Sequence, residues 1–177
     1  MVGRRISAPQ VITGYKLKVS VTKAIAAAGN YAAEDVICED ATTGTVWTFD
    51  KIVYANGRAG YIVKAHALWE TTGLTPRLTL YLFNAAPTTE LDDNKANAAP
   101  AYADLAQYVG KIDFLALEDL GGMSEAVATP STYGNLPLGF ECATADDALY
   151  GILVTRDAIT GEVATNSLTI RLEAEQV

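Results

Sequence analysis

The sequence predicts an all-β protein: an antiparallel β-sandwich or jelly roll of about nine strands, with long loops and an extended N-terminal arm. Three observations predict it. Hydrophobic residues recur with a period of two along many short segments. Turn chemistry (TTG, ANGRAG, TTGLTP, TADDA, AITGE) bounds those segments. No strand–helix–strand alternation occurs, which argues against a parallel sheet. A chain of 177 residues suits one domain with a sizeable core. The division expected is an arm over residues 1–14 and a single sandwich domain over 15–177.

The first strand is YKLKVSVTK. Tyr15, Leu17, Val19 and Val21 point one way, and Lys16, Lys18, Ser20 and Thr22 the other, as in a half-buried strand. SLTIRLEAE near the C-terminus repeats the device with Leu168, Ile170, Leu172 and Ala174. Between them EDVICE, TVWTFDKIVYA, GYIVKAHALWE, PRLTLYLFN, VGKIDFLAL, LPLGFECA and LYGILVTRD are each short and rich in β-branched or aromatic residues. In GYIVKAHALWE, Trp69 is in phase with Tyr61, Val63, Ala65 and Ala67, which reads as a core-facing row. Trp47 alternates with Phe49 in the same way, so both tryptophans are expected inside. Helical pattern is thin: AYADLAQYV (101–109) has room for two turns and AIAAAG (24–29) for one. The longest weakly patterned segments, 84–104 and 118–134, are expected as loops that make contacts.

Composition narrows the function. Half of the residues are hydrophobic and only 19% charged, which argues against disorder. No run of about 18 apolar residues exists to form a membrane helix. The opening MVGRRISAPQVITG lacks the apolar stretch of a secretory signal, so a cytosolic site of synthesis and assembly is expected. Cys38 and Cys142, in DVICED and GFECA, read as two small buried thiols, and their spacing fits no zinc motif; a bridge between them stays open. A net charge of −8 argues against non-specific nucleic-acid binding. That charge is split: residues 1–23 carry +5 with no acid, and the remainder carries −13. A basic leader on an acidic body suits docking on a neighbouring copy or another acidic surface; a solvated tail is the plain alternative.

Catalytic chemistry finds little to stand on. His66 is the only histidine, on a strand and without an identifiable partner, so no Ser–His–acid or Cys–His arrangement is indicated. Gly57 and Gly60 lack the Gly-Lys-Ser/Thr of a phosphate loop and read as a hairpin turn, with Asn56-Gly57 in the left-handed region. Paired carboxylates on a sandwich could serve a glycosidase, but no pair is singled out. Glu90, Asp92, Asp93 and Asn94 offer hard oxygen ligands without calcium-loop spacing, and read as turn-forming acids. No catalytic residue, metal or cofactor is expected.

A resemblance adds to this. RLTLYLFNAAPTTELDDNKANAAPAYADLAQYVGKIDF resembles a pattern of tailed-bacteriophage structural proteins: a strand ending in LFN or LFD, a Pro-containing loop, a DN dipeptide, an acidic turn and an IGxIxF-like strand. Leu82, Phe83, Asn84, Pro87, Asp93, Asn94, Val109, Gly110, Ile112 and Phe114 fill those places, though KANAAPAY follows DN where the pattern has an aromatic. The flanking segments extend the resemblance over about residues 31–175. It implies a jelly-roll-like virion protein, a head decoration or cement protein that binds the major capsid protein on the outer surface of the head. By analogy it implies a homotrimer, assembled in the bacterial cytoplasm and resident on the virion. Expected contact residues are Arg4 and Arg5 of the arm and Glu90, Asp92 and Asp93 of the acidic loop, which faces solvent or a basic neighbour. A carbohydrate- or receptor-binding module of a phage tail or fibre is the alternative; it needs exposed aromatics near Trp47, Tyr54 or Tyr133.

Overall fold

The computed structural model describes residues 15–27, 29–130 and 135–176. The arm expected over residues 1–14 lies outside them. Among the described residues ten antiparallel strands form two packed sheets, as the alternating pattern requires. They are β1 (Lys16–Ala24), β2 (Trp47–Phe49), β3 (Ala59–Trp69), β4 (Leu78–Phe83), β5 (Tyr108–Phe114), β6 (Glu118–Asp119), β7 (Ser124–Ala128), β8 (Leu138–Glu141), β9 (Leu149–Thr155) and β10 (Ser167–Gln176). One sheet runs β1-β10-β3-β7-β6, with β8 beside the first half of β3 and β7 beside the second. The other runs β2-β9-β4-β5. The alternating faces of β1 and β10 are largely as expected: Leu168, Ile170, Leu172 and Ala174 are fully buried, and Leu17, Val19 and Val21 are half-buried on the sheet edge, but Tyr15, placed in the same row, precedes β1 and is exposed.

The row assigned to β3 is only half right. Ala65, Ala67 and Trp69 are buried, but Tyr61 is exposed and Ile62 is buried instead. The cause is a bulge. Lys64 pairs with Glu173 and Ile62 with Ala174, so one residue of β3 has no opposite number and the strand changes phase there. A strict period of two cannot register an inserted residue.

The four-stranded sheet is buried on both faces. Leu78, Leu80 and Leu82 join Trp47, Phe49, Ile112 and Leu153 in the inter-sheet core. Tyr81, Phe83, Ile152 and Val154 form a second apolar cluster on the opposite face, with Val36, Cys38 and Ala99. The covering layer is made of two irregular segments, 34–40 and 91–97, laid side by side. Val36 N donates to Lys95 O, Asn94 N to Val36 O, and Asn97 N to Glu34 O, all within 2.9 Å. The first segment is stitched to β9 through Ile37 N to Leu153 O and Thr155 N to Asp35 O. LTLYLF and GILVT therefore read as continuous apolar runs, the pattern of strands covered on two sides.

Several element boundaries differ from expectation. Residues 101–109 form a 3-10 turn at Tyr102–Asp104 and then enter β5, and 24–29 hold no helix among the described residues. Segment 118–134 is not all loop: β6 and β7 form a hairpin there. Glu and Ala in SEAVA are weak strand formers, which hid it. EDVICE contributes only isolated bridges. Gly57 does take a positive φ of 67°, but Asn56 does not, and the turn carries the chain between the two sheets, so no hairpin forms. Both cysteines are buried and free.

Candidate functional site

The connection between β4 and β5, residues 84–107, contains the segment 84–104 that sequence reasoning marked for contact. Its two ends are clamped by Asn84 N donating to Gln107 O at 2.9 Å. Asp104, itself buried, accepts from Thr88 N at 3.1 Å and Thr88 Oγ1 at 2.9 Å, which closes the loop on itself. Farther along, Asp93 is 1% exposed. It accepts from Tyr31 Oη at 2.8 and 2.9 Å and from Cys38 N at 2.8 Å. The expectation that Asp93 faces solvent or a partner is thereby corrected: its charge is held inside by donors from Tyr31 and the first covering segment. Burial, reinforced by the Asp93 charge, pushes the Tyr31 phenol far above its usual range, so it remains a donor.

The other two loop acids build turns. Glu90 Oε1 accepts from Leu91 N and Asp92 N, each at 3.0 Å. Asp92 Oδ1 accepts from Gly44 N at 2.9 Å. Gly44 is required at that crossing, because a Cβ there would lie 2.1 Å from Leu91 O. Asn94 sits in the left-handed region at φ 57°. Among the described residues no group of three or more His, Cys, Asp or Glu side chains is placed to hold a metal ion. The loop also holds two large apolar side chains outward. Tyr102 is 90% exposed and Leu105 55%, both at the 3-10 turn that Asp104 anchors from within. Sequence reasoning missed this pair, having read 101–109 only as room for two helical turns.

The basic leader is largely consumed by the domain. Lys16 pairs with Glu175 at 3.1 Å and Lys18 with Glu173 at 3.3 Å on the outer sheet face. Lys23 turns inward and is buried, donating to Glu39, Thr45 O, Thr45 Oγ1 and Cys38 Sγ, with Trp47's ring 5.3 Å away. Its position was readable, since Lys23 continues the inward phase Leu17, Val19, Val21. Burial pushes the Glu39 carboxyl up, but hydrogen bonds from Cys38, Lys23 and Thr45 outweigh it and hold the group at about 2. Burial pushes the Cys38 thiol up to about 11 and Cys142 to about 12, so neither is a thiolate at neutral pH. Arg4 and Arg5 lie outside the described residues.

Both tryptophans are core residues, as expected. The Trp47 indole N–H donates to Ile37 O at 3.3 Å. Tyr54 is exposed with Arg58 over its ring at 5.4 Å, and Tyr133 lies outside the described residues. His66 contacts Glu125 Oε1 through Nδ1 at 2.8 Å on the outer face of the larger sheet. Two shallow depressions stand out among the described residues. One, of about 310 Å³, is lined by Leu74, Pro76, Asp157 and Ile159, beside the Arg77–Asp157 pair. The other, of about 260 Å³, lies against β6 and β7. No helix among the described residues is long and apolar enough to cross a membrane. No known protein family and no curated protein sequence matches the chain.

Proposed function

We propose that the chain is a virion structural protein, a phage capsid decoration or cement protein that binds the outer surface of the head and stabilises it by protein–protein contact. The observation that carries this reading is the exposed pair Tyr102 and Leu105 on a connection whose backbone is fixed from below. An aromatic and an aliphatic side chain held out on a rigid support suit an interface anchor, because little conformational freedom is lost when they dock. The resemblance in LFNAAP…VGKIDF supplies the class of partner, the major capsid protein, and the expected homotrimer. A stable contact covers about 800 Å² per partner, more than these two side chains offer, so the arm and neighbouring loops share the surface.

Co-sedimentation with heads that lack the protein tests it. The wild-type chain pellets with the heads, and Tyr102→Ala with Leu105→Ala lowers occupancy at least tenfold while the fold is retained. A full-length folded protein that stays in the supernatant would sink the assignment. Of the aromatics named for the carbohydrate-binding reading, Trp47 is in the core, and among the described residues Tyr54 is the one left exposed.

A further inference from the structure

We propose that the groove beside β6 and β7 receives the N-terminal segment of a second copy of the chain, with Arg4 and Arg5 set against Glu118 and Glu125. This concerns how copies join one another and does not depend on what the assembly coats.

The groove is amphipathic. Its apolar walls come from Leu115, Leu120 and Val127, and Leu115 and Leu120 are 51% and 50% exposed. Its charge comes from Glu118 and Glu125, which stand directly opposite each other in the β6–β7 pair. Like charges at opposed positions destabilise a sheet pair. His66 engages one oxygen of Glu125. Glu118 has no ion-pair partner among the described residues. A cation arriving there relieves the repulsion, and a guanidinium can bridge two carboxylates.

The chain carries a segment of matching chemistry. Met1-Val2-Gly3-Arg4-Arg5-Ile6 places two arginines between apolar side chains. The expected receiver, the acidic loop, suits it less well: Asp93 is buried, Asp92 caps Gly44, and Glu90 caps its own turn. Glu118 and Glu125 are not committed to turns in this way.

Geometry favours a neighbouring copy over the same chain. Thr22, Thr169, Leu68, Glu125 and Glu118 lie in one cross-strand row, so Glu118 is about 19 Å from Thr22 at four strand spacings. Tyr15, where the described chain begins, is seven residues back along β1, about 23 Å. Together these set a span of about 30 Å. Arg5 lies ten positions before Tyr15, a stretch of at most about 36 Å when fully extended. Reaching home therefore needs a largely extended run across the chain's own sheet face, whereas a second copy imposes no such requirement. A segment of one copy in a groove of the next is a head-to-tail contact, the kind that closes into rings.

Sedimentation equilibrium of the full chain at physiological salt, with charge reversals, tests this. Wild type should self-associate in the micromolar range. R4E/R5E and E118K/E125K should each weaken association at least tenfold, and the variant carrying both pairs of reversals should recover part of it, since opposite signs again face each other. Circular dichroism checks the fold; should E118K/E125K lose its native spectrum, Leu120→Lys at an exposed position replaces it. A wild-type chain that stays monomeric overturns the proposal. So does a folded reversal that associates normally, or a combined variant as weak as its parents.

Discussion

The Tyr31 phenol donates to both carboxylate oxygens of Asp93, at 2.8 and 2.9 Å, although the residues are 62 positions apart. With the Cys38 N–H bond it locks the two covering segments together over the smaller sheet. The sheet therefore has a third layer made of irregular chain. Tyr31→Phe should cost about 1–2 kcal/mol, one hydrogen bond to a charged group. Asp93→Ala should cost about 3 kcal/mol or more, because it strands two buried donors. Urea midpoints measure both; equal losses would contradict the assigned roles.

The Lys23–Glu39 pair ties β1 to the end of the first covering segment and makes a pH prediction. Glu39 ordinarily titrates near 4.5 and is held at about 2 in the folded chain. A depressed carboxyl stabilises the fold above its unfolded value, and that contribution fades as pH falls from about 4.5 towards 2. Glu39→Gln should lower stability at pH 7 by on the order of 1–2 kcal/mol after solvent screening and flatten this acid limb. Thermal melts of both proteins between pH 7 and 2 read the difference. Parallel curves would show that Glu39 does not contribute the limb.

Gly44 and Gly122 make a controlled pair. Gly44→Ala drives a Cβ to 2.1 Å from Leu91 O, whereas at Gly122 nothing lies within 4 Å. The first substitution should cost more than about 2 kcal/mol, since backbone has to move, and the second should stay within about 0.5 kcal/mol. Comparable denaturation midpoints would mean that the Gly44 turn does not pack on the second covering segment as described.

Trp47 and Trp69 are both enclosed in the inter-sheet core. Iodide should quench native fluorescence only weakly and several-fold more after unfolding. Strong native quenching would place an indole at the surface and reopen the carbohydrate reading.

The sandwich itself was legible because its outer strands have one wet face, so Leu168, Ile170 and Leu172 alternate cleanly with Thr169, Arg171 and Glu173. The third layer was not. Asp93 looks like any loop acid until Tyr31 and the Cys38 N–H arrive from 62 and 55 positions away, and nothing local encodes those partners. The continuous apolar run LTLYLF carried a sign that β4 is covered on both faces. The bulge in β3 and the Ala-rich β7 escaped because period and propensity are their only local marks, and both are weak there. Lys23, by contrast, stood in the buried phase of β1 in plain view.

The central proposal is that this fold acts as a coat component, with the Tyr102 turn as a contact. Electron cryo-imaging of virus particles carrying the gold-labelled chain tests that claim most directly. The account predicts label on the outer surface of the head, in regular positions around the capsid lattice. Label on the tail or its fibres, or particles that never incorporate the protein, would contradict it.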